Sequence, residues 1–147
     1  MYEEIGPQAA HDLLSRGDGH VYVDVRTVEE FAEGHPAGAK NIPILMRNPA
    51  TGQMEPNPEF VRVVQAHFAA GAKLVFGCRS GGRSAMACQV MAQHGYKQLW
   101  NVAGGFAGKT TPFGQVLVAG WAAQGLPVET DVSEAKSYEA LRKAAGS

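Results

Sequence analysis

Seven consecutive residues, Cys78, Arg79, Ser80, Gly81, Gly82, Arg83 and Ser84, combine one thiol with two guanidinium groups, two hydroxyls and two glycines. Such a set can do the chemistry of a sulfur nucleophile held in an anion cradle. The thiolate is the nucleophilic form of cysteine, and nearby arginines or a helix amino end favour it over the thiol. Gly81 and Gly82 permit turns that other residues resist, so several backbone amides can face one point. Arg79 and Arg83 supply fixed positive charge. Ser80 and Ser84 can donate further hydrogen bonds, although Ser84 serves equally well as a helix cap. The alternative is a buried structural cysteine beside a turn. Two arginines within five residues, and no large apolar side chain between Cys78 and Ser84, argue against it.

The elements around the loop give it a position. "KLVFG" (73–77) is a short continuous apolar run, the pattern of a central buried strand. "RSAMACQVMAQHG" (83–95) reads as a helix ending at Gly95. Cys78 therefore leaves the carboxyl end of a strand, where open α/β sheets bind ligands. The following helix turns its amino end, with unpaired N–H groups, back toward it.

Strand-like and helix-like runs alternate elsewhere too, which is the signature of an α/β domain around a largely parallel sheet. Residues 7–19 predict a helix with Pro7 in its first turn, and 20–26 a strand. Thr27 and Glu30 form a capping box for a short helix stopping at Gly34. Residues 37–43 predict a short strand and 48–58, rich in Pro, Gly and Asn, a surface loop. Residues 57–71 predict a helix capped by Asn57, residues 98–105 a strand, and 115–124 a last helix. The tail from Thr130 is polar, either a peripheral helix or frayed. The whole chain, 1–147, reads as one domain with its core at about 5–127.

Composition narrows the function. Apolar residues make up 45% and charged residues 18%, a globular balance. A net charge of −1 without a basic stripe gives no reason to expect nucleic acid as a partner. No apolar stretch is long enough to span a bilayer, so no membrane partner is expected. The start, "MYEEIGPQAA", lacks a secretory pattern, and the expected compartment is the cytoplasm. Two cysteines are too few for a disulfide framework. Ten helical residues would separate Cys78 and Cys88 by about 15 Å, so Cys88 is expected to pack as a small apolar residue. His11, His20, His67 and His94 show no ligand spacing, so no metal is expected. Trp100 and Trp121 read as core or rim residues.

The chain resembles single-domain rhodaneses, the sulfurtransferases, over residues 20–127. "VDVRTVEEFAEGHPAGAKNIP" (23–43), "CRSGGRS" (78–84), "VAGGF" (102–106) and "WAAQGLP" (121–127) carry the likeness in order. The resemblance implies a rhodanese-like fold, a five-stranded, mostly parallel sheet with helices on both faces. It also implies two half-reactions. Cys78 would take a sulfane sulfur from thiosulfate or a similar donor as a persulfide, and would then pass it to cyanide, a thiol or a protein. In that scheme the amides of 79–83 stabilise the sulfur, Arg79 and Arg83 orient the anionic donor, and no metal or organic cofactor is required. Asp24 and Arg26 would brace the site, and His35 would be a structural histidine, not a general base. Pro36 and Lys40 depart from the usual apolar residues. The larger departure is "AGKTTPFGQVLVAG" (107–120), an insertion that could form a lid, a partner surface or extra helix.

Two other functions fit the same residues. A phosphatase or arsenate reductase also uses a thiolate in an anion cradle, but with five residues between cysteine and arginine. Here four separate Cys78 from Arg83, which suits a single sulfur atom better than a tetrahedral oxyanion. A non-catalytic binding module of the same fold would not require the intact loop.

Overall fold

The run Leu74–Gly77 is buried along its whole length, as a strand covered on both faces must be. The computed structural model describes residues 2–133 and 135–146. Its elements in chain order are β1 (Glu3–Ile5), α1 (Pro7–Ser15), β2 (Val21–Asp24), α2 (Val28–Glu33), β3 (His35–Pro36), β4 (Lys40–Asn41), β5 (Leu45–Arg47), β6 (Met54–Pro56), α3 (Phe60–His67), β7 (Leu74–Gly77), α4 (Gly82–Gln93), β8 (Leu99–Val102), β9 (Gly108–Thr110), β10 (Val116–Ala119), β11 (Val128–Glu129) and α5 (Tyr138–Ala144).

The central sheet has five strands in the order β1-β8-β7-β2-β4, and every pairing in it is parallel. Side chains alternate across it. Val23, Leu74 and Phe76 face one side, in a cluster with Val63 and Val64 of α3, Met91 of α4 and Leu141 of α5. Tyr22 and Val75 face the other, with Ala10 of α1, Phe31 of α2 and Trp121. Burying each large apolar side chain contributes about 1.5–3 kcal/mol, so the two clusters hold helices against both faces. The sheet's strand ends are thereby fixed, and Cys78 leaves the middle strand next to them.

Several expectations are corrected. Residues 115–124 do not form a helix: Val116–Ala119 is a strand, antiparallel to Gly108–Thr110. The run Val116, Leu117, Val118 is β-branched at two of three positions, which favours a pleated strand once a partner is adjacent. The strand expected over 37–43 is only Lys40–Asn41, and the loop expected over 48–58 includes a strand, Met54–Pro56, paired with Leu45–Arg47. Strand β8 ends at Val102, and turns follow.

Asn57 does not cap α3, whose N-cap is Glu59. Its side chain instead donates to the Pro43 carbonyl at 2.8 Å and to the Tyr138 hydroxyl at 3.0 Å. Within the tail, Tyr138–Ala144 is a helix tied down by buried Tyr138 and Leu141 and capped by Ser137. The capping box of Thr27 and Glu30 is present as expected.

Candidate active site

Cys78 follows directly on the last residue of β7, and α4 opens at Gly82. Between them Gly81 takes φ +118°, a conformation that costs a residue bearing a Cβ about 1–2 kcal/mol. That turn brings the Gly81 N–H to 3.1 Å from Cys78 Sγ, to which it donates. The Ser84 hydroxyl, in the first turn of α4, lies 3.4 Å from the same sulfur. Among the described residues, these two groups are the donors within hydrogen-bond reach of the sulfur.

The expected ring of amides from 79 to 83 is thus reduced to one amide and one hydroxyl. Gly82 sits in ordinary helical conformation and does not require glycine. Nor does the thiol stand open in its loop. Cys78 is 2% exposed and belongs to the same apolar cluster as Val25, Phe76 and Ala87, while Arg79 and Ser80 are exposed above it.

A second segment grips the loop from outside. The Phe106 N–H donates to the Cys78 carbonyl at 2.8 Å, the Ala107 N–H to the Arg79 carbonyl at 2.8 Å, and the Gly104 N–H to the Ser80 carbonyl at 3.1 Å. The approach is close enough to exclude a side chain: a Cβ on Gly105, at φ +55°, would stand 2.4 Å from the Cys78 carbonyl oxygen. Immediately beyond this brace lies the insertion. Its hairpin, β9 and β10, contributes Lys109 and Val118 to a cavity of about 360 Å³ that is also lined by Ser80, Gly81, Gly82 and Asn101. Cys78 is not on that wall; Gly81, whose amide binds its sulfur, is. At the hairpin's tip Phe113 is 97% exposed.

Charge around the loop is arranged differently from the sequence expectation. Arg83 does not reach freely over the sulfur. Its guanidinium binds both carboxylate oxygens of Glu30, at 2.7 and 3.0 Å. Burial would raise the Glu30 carboxyl, but hydrogen bonds from Arg83 and Thr27 outweigh it and hold the group at about 2. The same bond raises Arg83 further above its ordinary value. Glu30 is one residue that sequence reasoning missed in this role. It was legible as a capping partner, but nothing local joins it to a group 53 positions away. Among the described residues no carboxylate pairs with Arg79 or Lys109, so these two carry the uncompensated positive charge beside the loop.

A model of the Rhodanese-like domain matches residues 6–110. The chain belongs to the rhodanese-like family. It is 39% identical over 120 residues to thiosulfate sulfurtransferase 16, chloroplastic, of Arabidopsis thaliana, covering 82% of this chain and 87% of that protein. It is 36% identical over 116 residues to the Arabidopsis thaliana protein HIGH ARSENIC CONTENT 1, mitochondrial, covering 73% and 68%. Two further curated relatives are matched over only about half their length. Among solved structures, a crystal structure of a protein from M. tuberculosis superposes with a TM-score of 0.72 at 28% identity, covering 89% of this chain and all of that one.

The remaining rhodanese-like motif residues have structural partners. Arg26 forms a buried pair with Asp24, Nη2 to Oδ2 at 2.7 Å, and donates to the Gly34 carbonyl at 2.7 Å. Burial works against its charge and Asp24 restores it, leaving it above its ordinary value. Its guanidinium carbon also lies 4.6 Å over the Phe106 ring, so the Asp24–Arg26 pair supports the brace that holds Cys78. His35 is fully buried, stacked on Phe31 at 3.5 Å. Its Nδ1 bonds the Phe31 carbonyl at 2.7 Å and its Nε2 lies 3.3 Å from Glu129; both nitrogens are occupied. Cys88 packs in the core, and burial pushes its thiol up to about 12. Among the described residues no His, Cys, Asp and Glu side chains cluster to hold a metal ion.

Proposed function

We propose that the protein is a sulfurtransferase that carries sulfane sulfur on Cys78. The observation that carries this reading is the scale of the cradle. One N–H and one hydroxyl converge on one sulfur atom, while Arg83, which would clamp a tetrahedral anion, is committed to Glu30. A persulfide adds one atom to that site; a phosphoenzyme or arsenate adduct adds an anion with several oxygens.

In the first half-reaction the Cys78 thiolate attacks the outer sulfur of thiosulfate. The new S–S bond forms as the bond to the sulfite sulfur breaks, and sulfite departs with the electron pair. In the second, a thiol, cyanide or protein nucleophile attacks the terminal sulfur and Cys78 leaves as the thiolate. The Gly81 N–H favours the anionic sulfur in both states in which it carries charge. Exposed Arg79 and Lys109 draw the anionic donor to the loop. Since Cys78 is 2% exposed, the donor gains the sulfur only when the outer peptides of the loop, Arg79 to Gly82, shift aside. A lid-like contribution from the hairpin fits its place on the cavity wall.

The test is a comparison of donors and of competing reactions. Thiosulfate, polysulfide and glutathione persulfide are assayed with cyanide and dithiothreitol as acceptors, beside aryl phosphate hydrolysis and arsenate reduction. Transfer from at least one sulfur donor, abolished in Cys78→Ser, supports the reading. Phosphate or arsenate turnover without sulfur transfer overturns it.

A further inference from the structure

The hydroxyl that reaches Cys78 is itself controlled from the edge of the sheet. Parallel pairing of β1 with β8 sets Glu4 in register with Asn101. The Asn101 amide nitrogen donates to Glu4 Oε1 at 2.9 Å and Oε2 at 3.1 Å, and to the Gly81 carbonyl at 3.2 Å. With its nitrogen held there, Asn101 turns Oδ1 to the Ser84 hydroxyl, which donates to it. Ser84 and Asn101 are both buried, at 0% and 2% exposure, so water does not compete. Ser84 has one hydroxyl proton and three acceptors in reach: Asn101 Oδ1, the Gly81 carbonyl at 3.3 Å and Cys78 Sγ at 3.4 Å. Donation to Asn101 withholds the proton from the sulfur.

We propose that Glu4 and Asn101 are positioning residues for the nucleophile, acting through Ser84. Glu4 fixes which way the Asn101 amide points, and the amide sets how much of the Ser84 hydrogen bond the Cys78 sulfur receives. The proposal rests on the reading of Cys78 as nucleophile and extends it. As sulfur charge appears and is discharged over the two half-reactions, the Ser84 hydroxyl turns between Asn101 Oδ1 and Sγ, and Glu4 sets the balance. Glu4 and Asn101 also line the cavity beside the loop, so this control is exposed to whatever occupies it.

The test measures alkylation of Cys78 by iodoacetamide at one neutral pH, read on the Cys78 peptide, so that it does not depend on sulfur transfer. Wild type, Glu4→Ala, Glu4→Gln, Ser84→Ala and the Glu4→Ala, Ser84→Ala double variant are compared. Glu4 is exposed on an edge strand, and thermal melts check that each variant folds. Glu4→Ala removes two of the three acceptors of the Asn101 nitrogen, leaving only the Gly81 carbonyl at 3.2 Å; the loosened amide frees the hydroxyl for the sulfur, and alkylation rises by about threefold to tenfold. Glu4→Gln keeps an acceptor for the Asn101 nitrogen and stays within about twofold of wild type. In the Ser84→Ala background the Glu4→Ala effect disappears.

If Glu4→Gln matches Glu4→Ala, or if the effect persists without Ser84, Glu4 acts as a bare charge and the proposal fails. It fails also if Glu4→Ala changes nothing. Thiosulfate transfer is measured on the same proteins. An intact alkylation cycle with no transfer in any of them overturns the sulfurtransferase reading and leaves the relay standing.

Discussion

Removing the charge of Glu30 is the perturbation whose size follows most directly from the geometry. The carboxylate receives both guanidinium nitrogens of Arg83 and the Thr27 backbone N–H, and is held at about 2 against an ordinary 4.5. At about 1.4 kcal/mol per pH unit, that difference is worth about 3 kcal/mol of stability at neutral pH. Its side chain is 27% exposed, and screening by water reduces the expected loss in Glu30→Gln to about 2 kcal/mol. The sign is fixed by the direction: the folded value lies below the unfolded one. The contribution is therefore fully present above about pH 4.5 and is lost as pH falls toward 2. Urea unfolding of both proteins at pH 7 and near pH 3 measures it. The deficit of Glu30→Gln should be about 2 kcal/mol at pH 7 and should shrink markedly near pH 3, where wild-type Glu30 is itself gaining its proton in the unfolded chain. Equal stability at pH 7, or the same deficit at both pH values, refutes the pairing as a source of stability. The same pair implies that Arg83→Ala strands a half-buried carboxylate. Its stability cost then accompanies any kinetic defect.

Three further outcomes are expected. Gly105→Ala forces a Cβ toward the Cys78 carbonyl, and should displace the loop, costing roughly 2–4 kcal/mol in urea unfolding and most of the sulfur transfer; near-wild-type behaviour in both counts against the brace. Cys88, fully buried with its thiol raised to about 12, should resist Ellman's reagent at pH 8 until the protein is unfolded, and rapid native labelling would show that α4 opens. Phe113→Ser at the hairpin tip should leave stability within about 0.5 kcal/mol, because a side chain 97% exposed buries almost nothing; a larger loss would mean that the tip packs against the protein in solution.

What the sequence showed and what it hid divide along physical lines. The strand Leu74–Gly77 and the helix after it were legible because each is specified locally, by a buried apolar run and by periodicity. The capping box of Thr27 and Glu30 was legible for the same reason. The strands at 3–5, 35–36 and 128–129 were not, because two or three residues form a strand only when a distant partner is brought beside them. The run 116–119 reads as helix from sequence because a short apolar segment satisfies both periods, and only its pairing with 108–110 decides. At the site, the residue types of 78–84 pointed to the loop, but their partners did not follow from it. That Arg83 answers to Glu30, and that Asn101 stands between Ser84 and Glu4, are facts of tertiary register. The burial of Cys78 likewise depends on the brace at 104–107 folding over the loop.

The central claim is that Cys78 accepts one sulfur atom. Mass spectrometry of the intact protein after incubation with thiosulfate, followed by peptide mapping, tests it without an acceptor or a coupled assay. The account predicts a gain of one sulfur on the peptide bearing Cys78, reversed by dithiothreitol and absent in Cys78→Ser. A wild-type protein that stays at its original mass with thiosulfate, polysulfide and persulfide donors alike, or that loads sulfur on Cys88 instead, would contradict it.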